Sequence, residues 1–286
     1  MARRRLHLLI IDPQNDFCDL PADYCPISPD GSRFVTALPI IGAHADMLRL
    51  AKLIDTGGEG LDAVTVTLDS HQYLDISHPG FWQGPAGIPI APFTKITATD
   101  LRTGNFQPRV PQIRERTQGY LDALEATGRI HIVWPVHCEI GTWGHNIHHY
   151  LHLACNRWEE ARNMIVAKVS KGENPMTEHY SAMMAEVPDA TDPATQFNLP
   201  LFERLRAADC VYIAGEAGSH CVKATVEHIV ARWPANELSQ LTLIEDCISP
   251  VSGFEAIHTE FLTVMRTRGV RIVAVDDVCE ELLNNK

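Results

Sequence analysis

The chain has 286 residues, of which 45% are hydrophobic and 21% are charged, and its formal net charge at pH 7 is -12. This is the composition of a globular protein, with enough sequence for one large α/β domain. The negative charge argues against a nucleic-acid partner, because phosphate binding needs clustered lysine and arginine. Apolar runs such as 8–11 are much shorter than the roughly 20 residues of a membrane span.

The N-terminal residues and the cysteines together indicate a compartment. The basic residues at 3–5 run directly into the apolar stretch 6–11, which is too short for the apolar part of a signal peptide. The eight cysteines contain no CxxC pair. We therefore predict a cytoplasmic protein whose cysteines are free thiols, with no membrane partner.

Short β-branched runs alternate with segments of helical periodicity along the chain. The predicted strands are 6–11, 63–68, 130–133, 164–169, 210–214, 241–245 and 270–275. The predicted helices include 43–53, 201–207, 221–232 and 253–268. This pattern predicts an α/β fold with a doubly wound, mostly parallel sheet flanked by helices. We expect one domain over residues 1–286, with insertions at about 83–130 and 145–162 near the functional edge.

Polar residues follow five of the predicted strands. In an open parallel sheet, ligands bind beyond the carboxyl ends of the strands, so these positions are the first candidates for a site. In chain order the candidates are Asp12, Asp69 with His71, His137 with Cys138, Lys171, and the segment 216–221. The sequence therefore predicts that these side chains converge at one edge of the sheet.

Cys221 stands at the predicted start of a helix. Unpaired N–H groups and the positive end of the helix dipole favour a thiolate there, and the same groups could hold an oxyanion. A buried structural cysteine is the ordinary alternative. Asp12 and Lys171 are candidate partners from neighbouring strand ends, although a turn aspartate and a surface lysine are the commoner roles of such residues.

A second group of residues has the chemistry of a metal site. Asp69 and His71 are two apart, so they point to the same side of an extended chain. One carboxylate with imidazoles suits a divalent transition metal: zinc first, with iron and manganese as alternatives. Among 14 histidines some such pairs arise by chance. The cluster of His145, His148 and His149 lies at no predicted strand end and is interpreted as surface or insertion histidines.

Five segments resemble motifs of nicotinamidases, in the isochorismatase-like cysteine hydrolase superfamily, and occur in the family's order. They are LIIDPQNDF at 9–17, DSH at 69–71 with His78, WPVHC at 134–138 with GT at 141–142, SKG at 170–172 with YS at 180–181, and AGSHCV at 217–222. Together they extend over most of the chain. The residue between Asp69 and His71 is serine, where the family commonly has an aromatic residue.

The resemblance implies a role for each matching residue. Cys221 would be the nucleophile, Asp12 the general base and Lys171 its charged partner, with Lys168 as the alternative lysine. The implied metal ligands are Asp69, His71, His78 and His137. The spacing between His71 and His78 is one residue longer than the usual spacing in the family. The implied oxyanion hole is formed by the N–H groups of Ala217 and Cys221, next to a cis peptide between Glu216 and Ala217. Phe17 and Trp134 match the residues that enclose the pyridine ring.

The implied activity is a metal-assisted amidohydrolase that converts nicotinamide to nicotinate and ammonia through a thioester. A larger heteroaromatic amide, which would account for the insertions, and a ureido or carbamoyl compound are the alternative substrates. Two alternatives belong to other classes: a non-catalytic binding protein and a vinyl-ether hydrolase. The presence of all three catalytic residues argues against the first, and the cysteine at the nucleophile position argues against the second. The implied partner is a small-molecule amide, and the superfamily also implies a homo-oligomer.

Overall fold

The computed structural model describes residues 3–285, in which strands and helices alternate. In chain order these elements are β1 (Leu6–Ile11), α1 (Ala43–Gly57), β2 (Ala63–Asp69), β3 (Trp82–Gln83), β4 (Lys95–Ile96), α2 (Ala98–Thr103), β5 (Gln107–Pro108), α3 (Arg114–Ala126), β6 (His131–Ile132), α4 (His149–Arg162), β7 (Ala167–Lys171), α5 (Leu199–Arg206), β8 (Cys210–Gly215), α6 (Cys221–Arg232), β9 (Leu241–Ile244), α7 (Glu255–Arg268), β10 (Arg271–Val273) and α8 (Val275–Leu283).

Six strands form the central sheet, in the spatial order β10-β9-β8-β1-β2-β7, and every neighbouring pair is parallel. The two middle strands, β1 and β8, are buried along their whole length. Such strands need apolar side chains on both faces, and β1 departs from this only at His7, whose Nε2 lies 2.8 Å from Thr65 Oγ1. Helices flank the sheet, as predicted, so the expected α/β fold is confirmed.

Most predicted elements agree with the structure to within a few residues. β1 and α6 have the predicted bounds, whereas α1 continues four residues beyond the predicted end, to Gly57. The strand predicted at 164–169 begins later, at Ala167, and runs to Lys171. The strand begins later because the residues just before it are still hydrogen-bonded to the end of α4. Asn163 adopts a left-handed conformation there, and Glu159 accepts a hydrogen bond from the backbone N–H of Val166.

The strand predicted at 130–133 is not part of the central sheet, and this prediction was wrong. Only His131–Ile132 is extended, and it pairs antiparallel with Lys95–Ile96 in a separate two-stranded sheet. This short extended run therefore pairs with an earlier segment of the chain and not with a strand of the central sheet. The following residues 134–138 still lead back to the edge of the central sheet, because His71 N donates to the Cys138 carbonyl.

Segment 83–130 builds a second, smaller apolar cluster beside the main core. The segment contains α2 and α3, which the sequence interpretation did not identify as helices. The buried members of the small cluster are Ile76, Phe81, Trp82, Ile96, Ala98, Leu101, Tyr120, Leu121, Leu124 and Val133. This stretch therefore folds, together with flanking residues at 76–82 and 133, around an apolar cluster separate from the main core.

Segment 145–162 is largely helix α4, which packs against α1. Its buried residues Leu151, Ala154, Cys155 and Trp158 belong to the main core. Helix α4 therefore belongs to the main core, while His145, before the helix, lies 2.9 Å from Ser70 at the end of β2. All eight cysteines are free, as predicted. None of the helices within residues 3–285 has the length and apolar character needed to cross a membrane.

Candidate active site

Lys171 lies at the centre of the polar residues that meet at the strand ends. Its Nζ is 2.8 Å from Asp69 Oδ1, 3.0 Å from Asp12 Oδ2 and 3.6 Å from Cys221 Sγ. The ammonium also donates to the carbonyl oxygen of His179, at 2.9 Å. Burial alone would lower the pKa of Lys171, but the carboxylates of Asp12 and Asp69 raise it well above its usual value. Lys171 is therefore a buried, permanently charged ammonium.

The alternative lysine, Lys168, lies elsewhere. Its side chain is 42% exposed and its nearest acidic partner is Glu159, at 3.9 Å. The two lysines are three residues apart on β7, so their side chains point to opposite faces of this strand. The structure thus brings Lys171, and not Lys168, to the strand-end cluster.

Asp12 is held rigidly just beyond β1. It adopts a positive φ of 45°, a conformation that non-glycine residues adopt rarely and that is often found at functional sites. Thr67 fixes it from the neighbouring strand, since Thr67 Oγ1 donates to Asp12 Oδ1 at 2.5 Å and accepts from the Asp12 N–H at 3.1 Å. Burial raises the pKa of Asp12, although Lys171 acts in the opposite direction. A carboxylate with a raised pKa is a better proton acceptor.

Cys221 is the first residue of α6 and lies at the end of a tight loop from β8. Gly215 makes this loop possible, because a Cβ there would lie 2.1 Å from the Ile11 carbonyl oxygen and its φ is +113°. The peptide bond between Glu216 and Ala217 is cis, as the resemblance implies. Within residues 3–285, the N–H groups of Ala217 and Cys221 donate to no backbone acceptor. Both are therefore free to bind an oxyanion.

Burial opposes the effect of the helix start on the Cys221 thiol. Burial raises the pKa of the Cys221 thiol well above its usual value, and Lys171 offsets only part of this effect. A carboxylate, Asp12, also contributes to the increase. A thiol whose pKa is raised in this way needs a base to take its proton, the role that the resemblance implies for Asp12.

Three buried histidines face one another beside Asp69. His71, His78 and His137 each offer a ring nitrogen within 4.8 Å of the others. Asp69 Oδ2 lies 3.1 Å from His71 Nε2 and 3.3 Å from His137 Nε2. The sequence-predicted ligands are thus brought together, including His78, whose spacing departs from the family pattern.

The donor set fits a divalent transition metal. The separations of Asp69 Oδ2 from His71 Nε2 and His137 Nε2, 3.1 and 3.3 Å, are those expected between two ligands of one ion with bonds of roughly 2 Å. Burial lowers the pKa of His78 to about 3, which keeps its imidazole in the neutral form that binds metals. Asp75 Oδ2 lies 3.2 Å from His71 Nδ1, and a carboxylate in this position orients a ligating imidazole. The sequence interpretation missed Asp75, although it lies four residues after His71.

A narrow cavity of about 20 Å³ opens onto the cysteine and the histidine cluster. Its lining includes Phe17, Trp134, Asp69, His137 and Cys221. The two aromatic residues predicted to enclose a ring therefore border the same space as the nucleophile candidate.

Three further residues of this lining, Glu178, Tyr180 and His220, were not assigned a role from the sequence. Tyr180 Oη accepts a hydrogen bond from Trp134 Nε1 at 2.9 Å. Tyr180 and His220 lie in two of the matched motifs, whereas nothing in the local sequence marks Glu178. The loop after β7 and the start of α6 bring the three residues to the site.

The cluster of His145, His148 and His149 is separate from the three facing histidines. His145 Nε2 lies 2.9 Å from Ser70 Oγ, and His148 Nε2 lies 3.0 Å from His44 Nδ1. His148 is fully buried, so of the two interpretations only that of a histidine within the 145–162 segment fits this residue. Its burial follows from its position at the start of α4, which packs against α1.

The sequence itself gives no relatives: no protein-family model matches the chain, and no curated protein sequence matches it. Solved structures do match. A nicotinamidase/pyrazinamidase of Acinetobacter baumanii is 20% identical with a TM-score of 0.59, over 97% of this chain and 100% of that one. A pyrazinamidase of Pyrococcus horikoshii in complex with zinc is 18% identical with a TM-score of 0.52, over 94% and 99% of the two chains.

An isochorismatase-like hydrolase of Alkaliphilus metalliredigens is 15% identical with a TM-score of 0.53, over 97% of this chain and 98% of that one. These matches cover nearly the whole of each chain, and the fold implied by the five motifs is thereby confirmed. The chain therefore has the fold of nicotinamidases and isochorismatase-like hydrolases.

Proposed function

We propose that this protein is a metal-assisted cysteine amidohydrolase and that nicotinamide is its leading substrate. The observation that carries the proposal is the position of Lys171 Nζ, within 3.6 Å of Asp69, Asp12 and Cys221 at once. Such an arrangement supplies a thiol, a base with a raised pKa and a fixed positive charge in one buried place. The nicotinamidase fold and the five motifs support the same activity.

Asp12 takes the proton of the Cys221 thiol as Sγ attacks the carbonyl carbon of a primary amide. The negative charge on the carbonyl oxygen is received by the N–H groups of Ala217 and Cys221. Asp12 then returns the proton to the leaving nitrogen, the C–N bond breaks and ammonia departs. Water next attacks the thioester, with Asp12 again as base, and the C–S bond breaks to release the acid and restore the thiol.

Lys171 holds both carboxylates in place and keeps Asp12 ionised enough to act as the base. Asp69, His71, His78 and His137 would hold the metal, which when bound supplies a Lewis acid that orients a heteroaromatic nitrogen or a water beside it. Zinc is the first candidate, because the donor set suits it and a pyrazinamidase of the same fold was solved in complex with zinc. Phe17 and Trp134 would enclose the ring.

Ammonia release from nicotinamide by purified, zinc-loaded protein tests this proposal. Cys221→Ala and chelator-treated protein are the controls, and both should lose turnover while circular dichroism stays unchanged. Turnover that survives in Cys221→Ala would reject the cysteine mechanism. An absence of turnover with intact metal binding would reject nicotinamide and direct the search to ureido or carbamoyl compounds.

A further inference from the structure

A second cavity shares part of its lining with the cavity at Cys221 and has no role in the mechanism above. Its volume is about 270 Å³, against about 20 Å³ for the cavity at Cys221. Glu178, Tyr180 and His220 line both. These three residues therefore form the boundary between the reacting centre and a much larger space, which we call the side cavity.

The walls of the side cavity come from two parts of the chain. One wall is formed by the end of α3 and the following strand, and includes Leu124 and Ile132. The other is formed by α6 and the start of α7, and includes Ala224 and Ile257. The side cavity therefore lies along α6, the helix whose first residue is Cys221.

Most charges around the side cavity are already paired. Arg129 forms an ion pair with Glu186, and Lys223 Nζ lies 2.9 Å from Glu227 Oε2. Glu178 forms no ion pair with any of residues 3–285, and burial raises its pKa. The side cavity therefore has one carboxyl group without an ion pair, at its boundary with the reacting centre.

Glu178 is 4% exposed. It lies in the loop after β7, and the same loop provides a hydrogen-bond acceptor for Lys171. Its Oε1 accepts the His179 N–H at 2.9 Å, and His179 in turn accepts from Lys171 Nζ through its carbonyl oxygen. Its Oε2 has no hydrogen-bond partner among residues 3–285. A buried polar atom without a partner is costly, so a ligand that donates a hydrogen bond here would be favoured.

We propose, resting on the amidohydrolase function above, that the natural substrate is a heteroaromatic amide with a hydrogen-bond-donating substituent. The amide group reacts at Cys221, the substituent extends past Tyr180 and His220 into the side cavity, and its O–H or N–H donates to Glu178. Apolar side chains such as Leu124 and Ile257 enclose the rest of the substituent. The substrate is accordingly larger than nicotinamide.

Binding to zinc-loaded Cys221→Ala protein tests this proposal without any need for turnover. The ligands are nicotinamide and nicotinamides that carry a hydroxyethyl group at each free ring carbon in turn, each compared with its ethyl counterpart by calorimetry. At one ring position the hydroxyethyl compound should bind at least about tenfold more tightly than the ethyl compound, the effect of one hydrogen bond to a buried carboxylate.

Three further variants and one matched control locate the effect. Glu178→Leu should abolish the preference for hydroxyethyl over ethyl. Glu178→Gln keeps one oxygen to accept the His179 N–H but places an NH2 donor where Oε2 stood, so it should also reduce the preference. Ala224→Leu narrows the side cavity and should weaken both substituted ligands about tenfold or more relative to nicotinamide. Ala161→Leu, the same change on the exposed surface of α4, is the matched control and should leave all affinities unchanged.

Equal binding of hydroxyethyl and ethyl compounds at every ring position would overturn the proposal, as would an unchanged preference in Glu178→Leu. If the preference holds but wild-type protein releases ammonia from none of these amides, the amidohydrolase function fails and the side cavity stands as a ligand site. If nicotinamide is hydrolysed but no preference is found, only the larger substrate is rejected.

Discussion

The candidate site has two halves that share one side chain. In the catalytic half, Asp69 Oδ1 accepts from Lys171, whose ammonium also lies against Asp12 and Cys221. In the histidine half, the other oxygen of Asp69 faces His71 and His137. One carboxylate therefore contributes to both the charge balance around the cysteine and the ligand set of the metal.

The two halves differ in whether the protein alone completes them. The charges of the catalytic half are balanced by its own residues, because the Lys171 ammonium lies between two carboxylates and a thiol. The histidine half is three imidazoles and a carboxylate facing one point, an arrangement that a cation would complete. We therefore expect the catalytic half to keep its geometry without metal, and the histidine half to depend on it.

The largest effect is expected from removing the charge that unites the catalytic half. Lys171→Met leaves Asp12 and Asp69 facing each other without compensation, and should lower kcat/KM for amide hydrolysis by about 10²- to 10³-fold, the range for one electrostatic group in an active site. Steady-state ammonia release measures this. Lys168→Met, the same substitution on the exposed face of β7, is the control, and an equal loss in both variants would contradict the account.

A smaller effect is expected in the histidine half from the carboxylate behind His71. Asp75→Asn keeps the shape of the side chain but removes the charge 3.2 Å from His71 Nδ1, and should weaken zinc binding about 10- to 100-fold. Competition with a chelator measures the zinc affinity. Asp55→Asn, on the surface beside Arg157, is the matched control.

The alkylation rate of Cys221 in metal-free protein distinguishes the two halves further. It should be the same in Asp75→Asn and in wild type, because Asp75 belongs to the histidine half alone. A large change in this rate would show that the halves are not separable.

The smallest effect concerns pH. Burial raises the pKa of Asp12 in the folded protein above its usual value, and only the ionised carboxylate can accept the thiol proton. Activity should therefore be lost as pH falls through this raised pKa, so the acidic limb of kcat/KM should lie above the usual range for aspartate. A pH–rate profile of zinc-loaded protein checks this, and an acidic limb at or below pH 3.8 would contradict it.

The catalytic half could be predicted from sequence because each of its residues lies next to a strong local pattern. Asp12 and Asp69 stand at the ends of apolar strands, and Cys221 begins a helix whose bounds were predicted correctly. Parallel strands necessarily bring their carboxyl ends to one edge. The thiol's protonation state could not be predicted, since it depends on burial by residues distant in sequence.

The side cavity and the small apolar cluster could not be predicted from the sequence, because they too depend on contacts between residues that carry only a weak local pattern. Helix α3 buries few residues and is polar over most of its surface, so its periodicity is weak, and the strand predicted at 130–133 pairs within this region and not with the sheet. By contrast, α4 was missed although Leu151, Ala154, Cys155 and Trp158 follow a clear helical spacing. Glu178 carries no local signal, because only the tertiary fold places it beside Cys221.

The central claim, that Cys221 is acylated during turnover, is tested most directly by mass spectrometry of acid-quenched reactions. Zinc-loaded protein is mixed with nicotinamide, quenched within one turnover and digested, and the peptides are analysed. The account predicts a nicotinoyl group on the peptide that contains Cys221, and its absence in Cys221→Ala together with loss of ammonia release. A nicotinoyl group on another residue, or ammonia release by Cys221→Ala at the wild-type rate, would contradict it.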